Sequence, residues 1–146
     1  MAKEDLSIIG MWKLISFAIQ DNDGTLNYPF GKNVAGFAII DAGGYFSAQL
    51  MDMKRPSFKS GDPRGGTPSE PKTTFENYVG YYGTFDLDDP KGVIIFHVRG
   101  AWLPNWIGSD QIRYCTSNGN RMIISTAPVL FSGQKVIGKL IWEHVN

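Results

Sequence analysis

Along the chain, short apolar or alternating runs are cut repeatedly by Gly, Asn and Asp, and this rhythm predicts strands joined by turns. Met11 to Gln20 (MWKLISFAIQ) reads as a strand that stops at the turn signal Asp21-Asn22-Asp23-Gly24. Val34 to Asp41 and Tyr45 to Met51 form a hairpin around Ala42-Gly43-Gly44. A loop rich in Pro, Gly and Lys follows from Asp52 to Pro71, and so long a connection in a compact domain is commonly functional or mobile. Glu70 to Tyr78 (EPKTTFENY) is the best helix candidate, with Ser69 as N-cap and Pro71 at the first helical position. Strands are then expected at Gly80 to Leu87, Val93 to Arg99, Gln111 to Thr116, Arg121 to Thr126 and Val136 to His144. Asp88-Asp89-Pro90-Lys91-Gly92 and Ser117-Asn118-Gly119-Asn120 supply turns between them.

The pattern therefore contains eight strands and one short helix, without the long helices that parallel crossovers require. Eight sequential strands joined mostly by tight turns predict an all-β, antiparallel up-and-down barrel, in which closure removes exposed strand edges. A sandwich of two four-stranded sheets is the alternative. An eight-stranded barrel either encloses one small ligand or fills its interior with side chains.

Composition narrows the choice of partner. The 146 residues suit one domain spanning 1–146, and 42% hydrophobic against 19% charged residues marks globular material. Acids and bases balance at 14 each, with no run of like charge, which argues against nucleic acid or a membrane surface as partner. The N-terminal Met-Ala-Lys-Glu-Asp-Leu-Ser lacks the apolar core of a signal peptide, so a cytoplasmic protein is expected. Cys115 is the only cysteine, so no disulfide forms within one chain, and with two histidines no conventional zinc site is expected. There is no dinucleotide fingerprint, no Gly-x-Ser-x-Gly elbow and no Gly-Lys-Ser/Thr ending to the glycine-rich segment FKSGDPRGGTP. No cofactor is expected. A homo-oligomer is compatible with the sequence.

Several stretches carry a resemblance. Gly10-Met11-Trp12 looks like the Gly-x-Trp opening of lipocalins. Together with YPFG (28–31), FSAQLM (46–51), SGDPRGGTP (60–68), FENYVGYYG (75–83) and PNWIGSDQIR (104–113), the chain resembles the lipocalin-like domain family of small bacterial and fungal proteins. These stretches cover nearly the whole chain in order. The resemblance implies an eight-stranded calycin barrel with a central cavity, and gives Trp12 a structural place closing the barrel base. Function is not implied by the fold alone.

The candidate site centres on HVRGAWLPNWIGSDQIRY, residues 97 to 114. Pairing the flanking strands symmetrically about the loop sets His97 opposite Arg113 and Arg99 opposite Gln111. All four then share a face with Val93, Ile95 and Cys115. The bland reading makes that face the solvated one, with Ile94, Phe96 and Val98 in the core. Cys115 favours the opposite, since Cys is among the most buried residue types; a lone strand Cys is itself more often an inert small hydrophobe than a nucleophile. We take His97, Gln111 and Arg113 as inward-facing, with Arg99 near the mouth.

In that arrangement Arg113 needs a ligand carboxylate, enolate or phenolate as partner, and Gln111 orients a carbonyl. His97, kept neutral by burial and by the nearby guanidinium, acts as general base. Gln49, Tyr81, Phe85 and Trp142 are further candidates to line the cavity, each with a surface or plain-core alternative. Trp102 and Trp106 read as a lid, with FKSGDPRGGTP on the other side of the mouth, and His144 as a surface residue. The expected ligand is a small hydrophobic or amphipathic molecule with a carbonyl or acidic group. Three functions are weighed. The first is a cofactor-free cyclase or isomerase acting on a hydrophobic biosynthetic intermediate of secondary-metabolite type, with which the family resemblance is compatible. The second is a carrier that leaves its ligand unchanged, and the third a filled barrel without a ligand.

Overall fold

The structure, a computed structural model, describes residues 8–146. Its strands are β1 (Gly10–Gln20), β2 (Leu26–Asn27), β3 (Val34–Ile40), β4 (Tyr45–Asp52), β5 (Tyr78–Asp88), β6 (Val93–Ala101), β7 (Asp110–Ser117), β8 (Arg121–Thr126), β9 (Val129–Phe131) and β10 (Gln134–His144). One α-helix, α1 (Ser69–Glu76), lies between β4 and β5. Eight of these strands pair antiparallel in chain order, and β10 returns to pair with β1, closing the barrel. The two short strands are extras: β2 hangs on the end of β1 and β9 on the start of β10. The eight-stranded barrel expected from the alternating pattern is the observed fold, and the two-sheet sandwich is not. No helix among the described residues is long and apolar enough to cross a membrane.

The connections are unequal, and this places the mouth. Tight turns at 41–44, 89–92 and 118–120 join strands at one end, where β1 also begins and β10 finishes. The long connections, 21–33, 53–77, 102–109 and 127–133, all gather at the other end. The tight end is sealed by side chains. Trp12 is fully buried, its indole Nε1 donates to the Ile8 carbonyl at 3.0 Å, and its ring meets His144 edge-on at 5.0 Å. His144 is thus half-buried against Trp12 rather than on the open surface. Phe46, Phe85, Ile94, Phe96, Met122 and Trp142 fill the space above it. Each faces inward because it alternates with more exposed neighbours along its strand, as period-two geometry requires.

Two local expectations need correction. The helix begins at Ser69, so Ser69 is its first residue, and Pro68 sits at the cap position without a side-chain cap. Glu70 does the tethering instead: its carboxylate accepts from the backbone N–H of Thr67 at 2.8 Å and of Lys59 at 3.1 Å. Those bonds hold the Glu70 carboxyl below its ordinary pKa, Thr67 contributing most. The second correction is a bulge in β6. Tyr82 pairs with Gly100 but Gly83 with Val98, which leaves Arg99 as an extra residue on β6. A Cβ on Gly83 would run into the His97 carbonyl, so only glycine permits this close approach.

Candidate functional site

Above the packed core the barrel is hollow. A cavity of about 580 Å³ opens toward the loop end, walled mainly by apolar groups from β1, β4, β5, β10 and the 102–106 loop. That size is ordinary for a small-molecule site. Leu50, Tyr81, Arg113 and Leu140 form its floor, because they also line a separate void of about 40 Å³ beneath. Trp102 and Trp106 stand at the rim, 5.0 Å apart and nearly perpendicular, and Trp106 also meets the Tyr81 ring at 5.1 Å. Val129, Leu130 and Phe131, the β9 ribbon, make the facing side.

The floor carries a charge. Arg113 is only 4% exposed. Its Nη1 donates to the Ile112 carbonyl at 3.0 Å, and its Nη2 reaches the Tyr81 hydroxyl at a long 3.5 Å. The Trp106 ring centroid is 5.7 Å from the guanidinium carbon and that of Tyr81 is 6.0 Å. Gln111 also faces the cavity, its amide Nε2 donating to Ser109 Oγ at 2.9 Å. That hydroxyl in turn donates to the Trp106 carbonyl at 2.7 Å, so Gln111 is tied to the tryptophan loop. Among the described residues, no Asp, Glu, Lys or His lines the cavity.

His97 does not join them. β6 and β7 pair His97 with Asp110, Phe96 with Gln111 and Ile94 with Arg113, an odd shift of three residues from the symmetric pairing. A slip of odd size exchanges faces. Ile94, Phe96 and Val98 therefore share the interior with Gln111 and Arg113, while His97 points outward. The shift arises because the end of β6 pairs with β5 through Gly100 and Ala101, so the loop to β7 is off-centre. Its physical gain is burial of three large apolar side chains in place of an imidazole.

On the outer wall His97 sits between two carboxylates, with Nδ1 2.7 Å from Asp110 Oδ1 and Nε2 2.8 Å from Asp86 Oδ2. The hydrogen bond to Asp110, then that to Asp86, raises its pKa, the reverse of the neutral imidazole expected from burial beside Arg113. The folded value lies above the ordinary 6.5, so the stabilisation is complete below that pH and is lost as pH rises through the folded value. His97→Gln should lower the melting temperature most at acidic pH, with a gap that closes toward alkaline pH. All three side chains are substantially exposed, His97 at 37%, so the effect stays within about 1 kcal/mol. Thermal melts across pH 5.5 to 9 (roughly one unit below the imidazole range to well above it) check this, and a gap independent of pH would contradict it.

The other candidates divide. Tyr81, Trp102 and Trp106 line the cavity. Phe85 and Trp142 are core, with Trp142 touching only the small lower void. Gln49 and Arg99 are on the outside, lining an open hollow beside Tyr78 and Tyr82, since Gln49 alternates out of phase with inward Ala48 and Leu50 and Arg99 is the bulged residue. Segment 58–68 is not part of the mouth: Phe58, Gly61, Asp62 and Pro63 line a separate external hollow.

The sequence pattern of the lipocalin-like domain family matches residues 9–145. The chain belongs to that family. A relative, the 4'-hydroxy-3'-methoxypropiophenone carrier protein of Aspergillus oryzae, is 29% identical over 106 residues, covering 68% of this chain and 96% of the relative. No solved structure matches significantly.

In this lipocalin-like barrel several cavity residues escape a reading of the sequence. Thr126 and Gly138 face each other across β8 and β10, the Gly138 N–H donating to Thr126 Oγ1 at 2.9 Å. Leu140 and Gly138 share the inward face with Trp142, a signal present in the alternation of the last strand. The β9 wall had no such signal. Three residues after a turn acquire their place only by pairing with β10 at the rim of the lipocalin-like barrel.

Proposed function

We propose that this protein binds a small aromatic molecule carrying a carbonyl or phenol in the upper barrel and carries it unchanged. The observation that carries the reading is the 580 Å³ cavity, apolar and aromatic in its walls, with a single buried guanidinium at its floor. The aromatic walls suit a ring, and Arg113 and Gln111 suit an oxygen-bearing head group. The likeness to a relative named as carrier of a hydroxylated, methoxylated aryl ketone supports both the ligand class and carriage.

Cyclisation or isomerisation is less well supported. It rested on His97 as an internal base, and that imidazole is on the outer wall, bound on both sides by carboxylates. Among the described residues, the cavity lining has no other imidazole, amine or carboxylate to take a proton from carbon. Polarisation of a carbonyl by Arg113 would remain, but without a base it orients the ligand and does not turn it over.

Native mass spectrometry of freshly purified protein, followed by titration with para-hydroxypropiophenone, tests this. Saturable quenching of Trp102 and Trp106 fluorescence, with the ketone recovered chemically intact, is expected. Failure to saturate would remove the ligand site, and a recovered compound of altered structure would replace carriage with catalysis.

A further inference from the structure

We propose that the cavity takes its ligand as an anion, an acidic phenol seated as the phenolate against Arg113 and Tyr81 with its remaining bulk beneath Trp106. The proposal rests on the cavity being the ligand site, and deepens it by fixing the ligand's charge and direction.

The starting point is an imbalance. A guanidinium cannot shed its proton, and a buried charge is costly unless something of opposite sign faces it. Arg113 is buried, yet among the described residues no carboxylate lies within ion-pair distance of it. Its hydrogen bonds go to two neutral oxygens, and the bond to Tyr81 is long enough to be weak. These use two of about five guanidinium donors. The Trp106 and Tyr81 rings replace some lost hydration through their π faces but bring no counter-charge. Arg113 is among the residues that line the cavity.

Tyr81 strengthens the case. Its oxygen accepts from Arg113, so its own proton is available to donate. Two donors of adjacent groups thus face the same space, an arrangement that favours one strong acceptor over a donor. A neutral ketone oxygen would accept both bonds but leave the charge unbalanced. A phenolate does both, and the nearby positive charge of Arg113 lowers the phenol's own pKa on binding. The proton lost goes to bulk solvent, since among the described residues no cavity side chain is a carboxylate, amine or imidazole able to keep it. Aromatic side chains at the floor and rim select a ring over a flexible aliphatic acid.

The experiment compares para-hydroxypropiophenone with its methyl ether, at a pH about one unit below the free phenol's pKa, where roughly a tenth is ionised. The phenolate absorbs at longer wavelength than the phenol, so the spectrum of the bound ligand reports its charge directly. On wild-type protein the bound phenol should show the phenolate band and bind at least about tenfold more tightly than the ether. Arg113→Met should remove the band and the preference; Arg113→Lys, which keeps the charge, should retain the band. A neutral bound spectrum overturns the proposal, as does a preference that survives Arg113→Met. Decanoate binding more tightly than the phenol overturns the assignment to a phenol. If Arg113→Met does not fold, the wild-type spectrum and the ether comparison still decide. An ether that binds as well as the phenol refutes only the anion, whereas a protein that binds neither refutes the ligand site itself.

Discussion

Leu140→Trp is expected to abolish ligand binding while leaving the barrel folded. Leu140 belongs to the floor, between Phe17 on β1 and Ile124 on β8, and borders both the large cavity and the small void below it. An indole there enters space that is empty in the protein. Overpacking a filled core costs about 1–3 kcal/mol, and vacant space on two sides keeps the cost at the low end of that range. The ligand loses the same space, so affinity should fall by about a hundredfold or more, equivalent to some 2.7 kcal/mol. Calorimetric titration reads the affinity without interference from the added tryptophan, and a thermal melt reads the fold. Undiminished binding by a folded variant would mean that the ligand sits elsewhere.

The second large effect is at the other end. Trp12→Ala should cost about 3–5 kcal/mol, the range for truncating a large buried aromatic. Trp12 is fully buried, and its backbone pairs with Ala38 on β3 and His144 on β10, so its ring backs the seam where the barrel closes. Truncation leaves a cavity, removes the edge-on contact with His144 and strips the Ile8 carbonyl of its donor. Against a typical total of about 5–15 kcal/mol this is a large fraction of the stability. Urea unfolding measures it, and a loss below about 1 kcal/mol would mean that the closed end does not hold the barrel together. Trp12→Phe should lie between, keeping much of the packing but leaving the Ile8 carbonyl unpaired, at about 1–3 kcal/mol.

The two ends differ in how readable they are. Trp12 is legible because it lies in a strongly alternating strand, between exposed Met11 and Lys13, and shares a motif with the lipocalin-like family. The helix is legible in place but not in its first residue. Glu70 holds that end through bonds to Lys59 and Thr67, and the bond to Lys59 spans eleven residues of loop that no local pattern predicts. Within the cavity, Gln111 and Arg113 could be assigned to one face together because they are two apart on one strand. Gln49 could not be assigned, since alternation alone does not say which phase is inward when Ser47, Gln49 and Met51 oppose Phe46, Ala48 and Leu50. Arg99 was beyond reach, because a bulge shows no mark in the sequence around it other than Gly100.

Side-chain alternation of period two and the spacing of Gly, Asn and Asp depend only on neighbouring residues, and they determined the eight barrel strands and their antiparallel order. They also determined which residues of a single strand share a face. The register between two strands is a different kind of quantity, since a slip by an odd number exchanges the faces at no local cost. Only the closed barrel decided it, by burying Ile94, Phe96 and Val98 beside Gln111 and Arg113 and turning His97 out to Asp86 and Asp110. The choice was made by the total apolar area removed from water across several strands, and no one strand carries that sum.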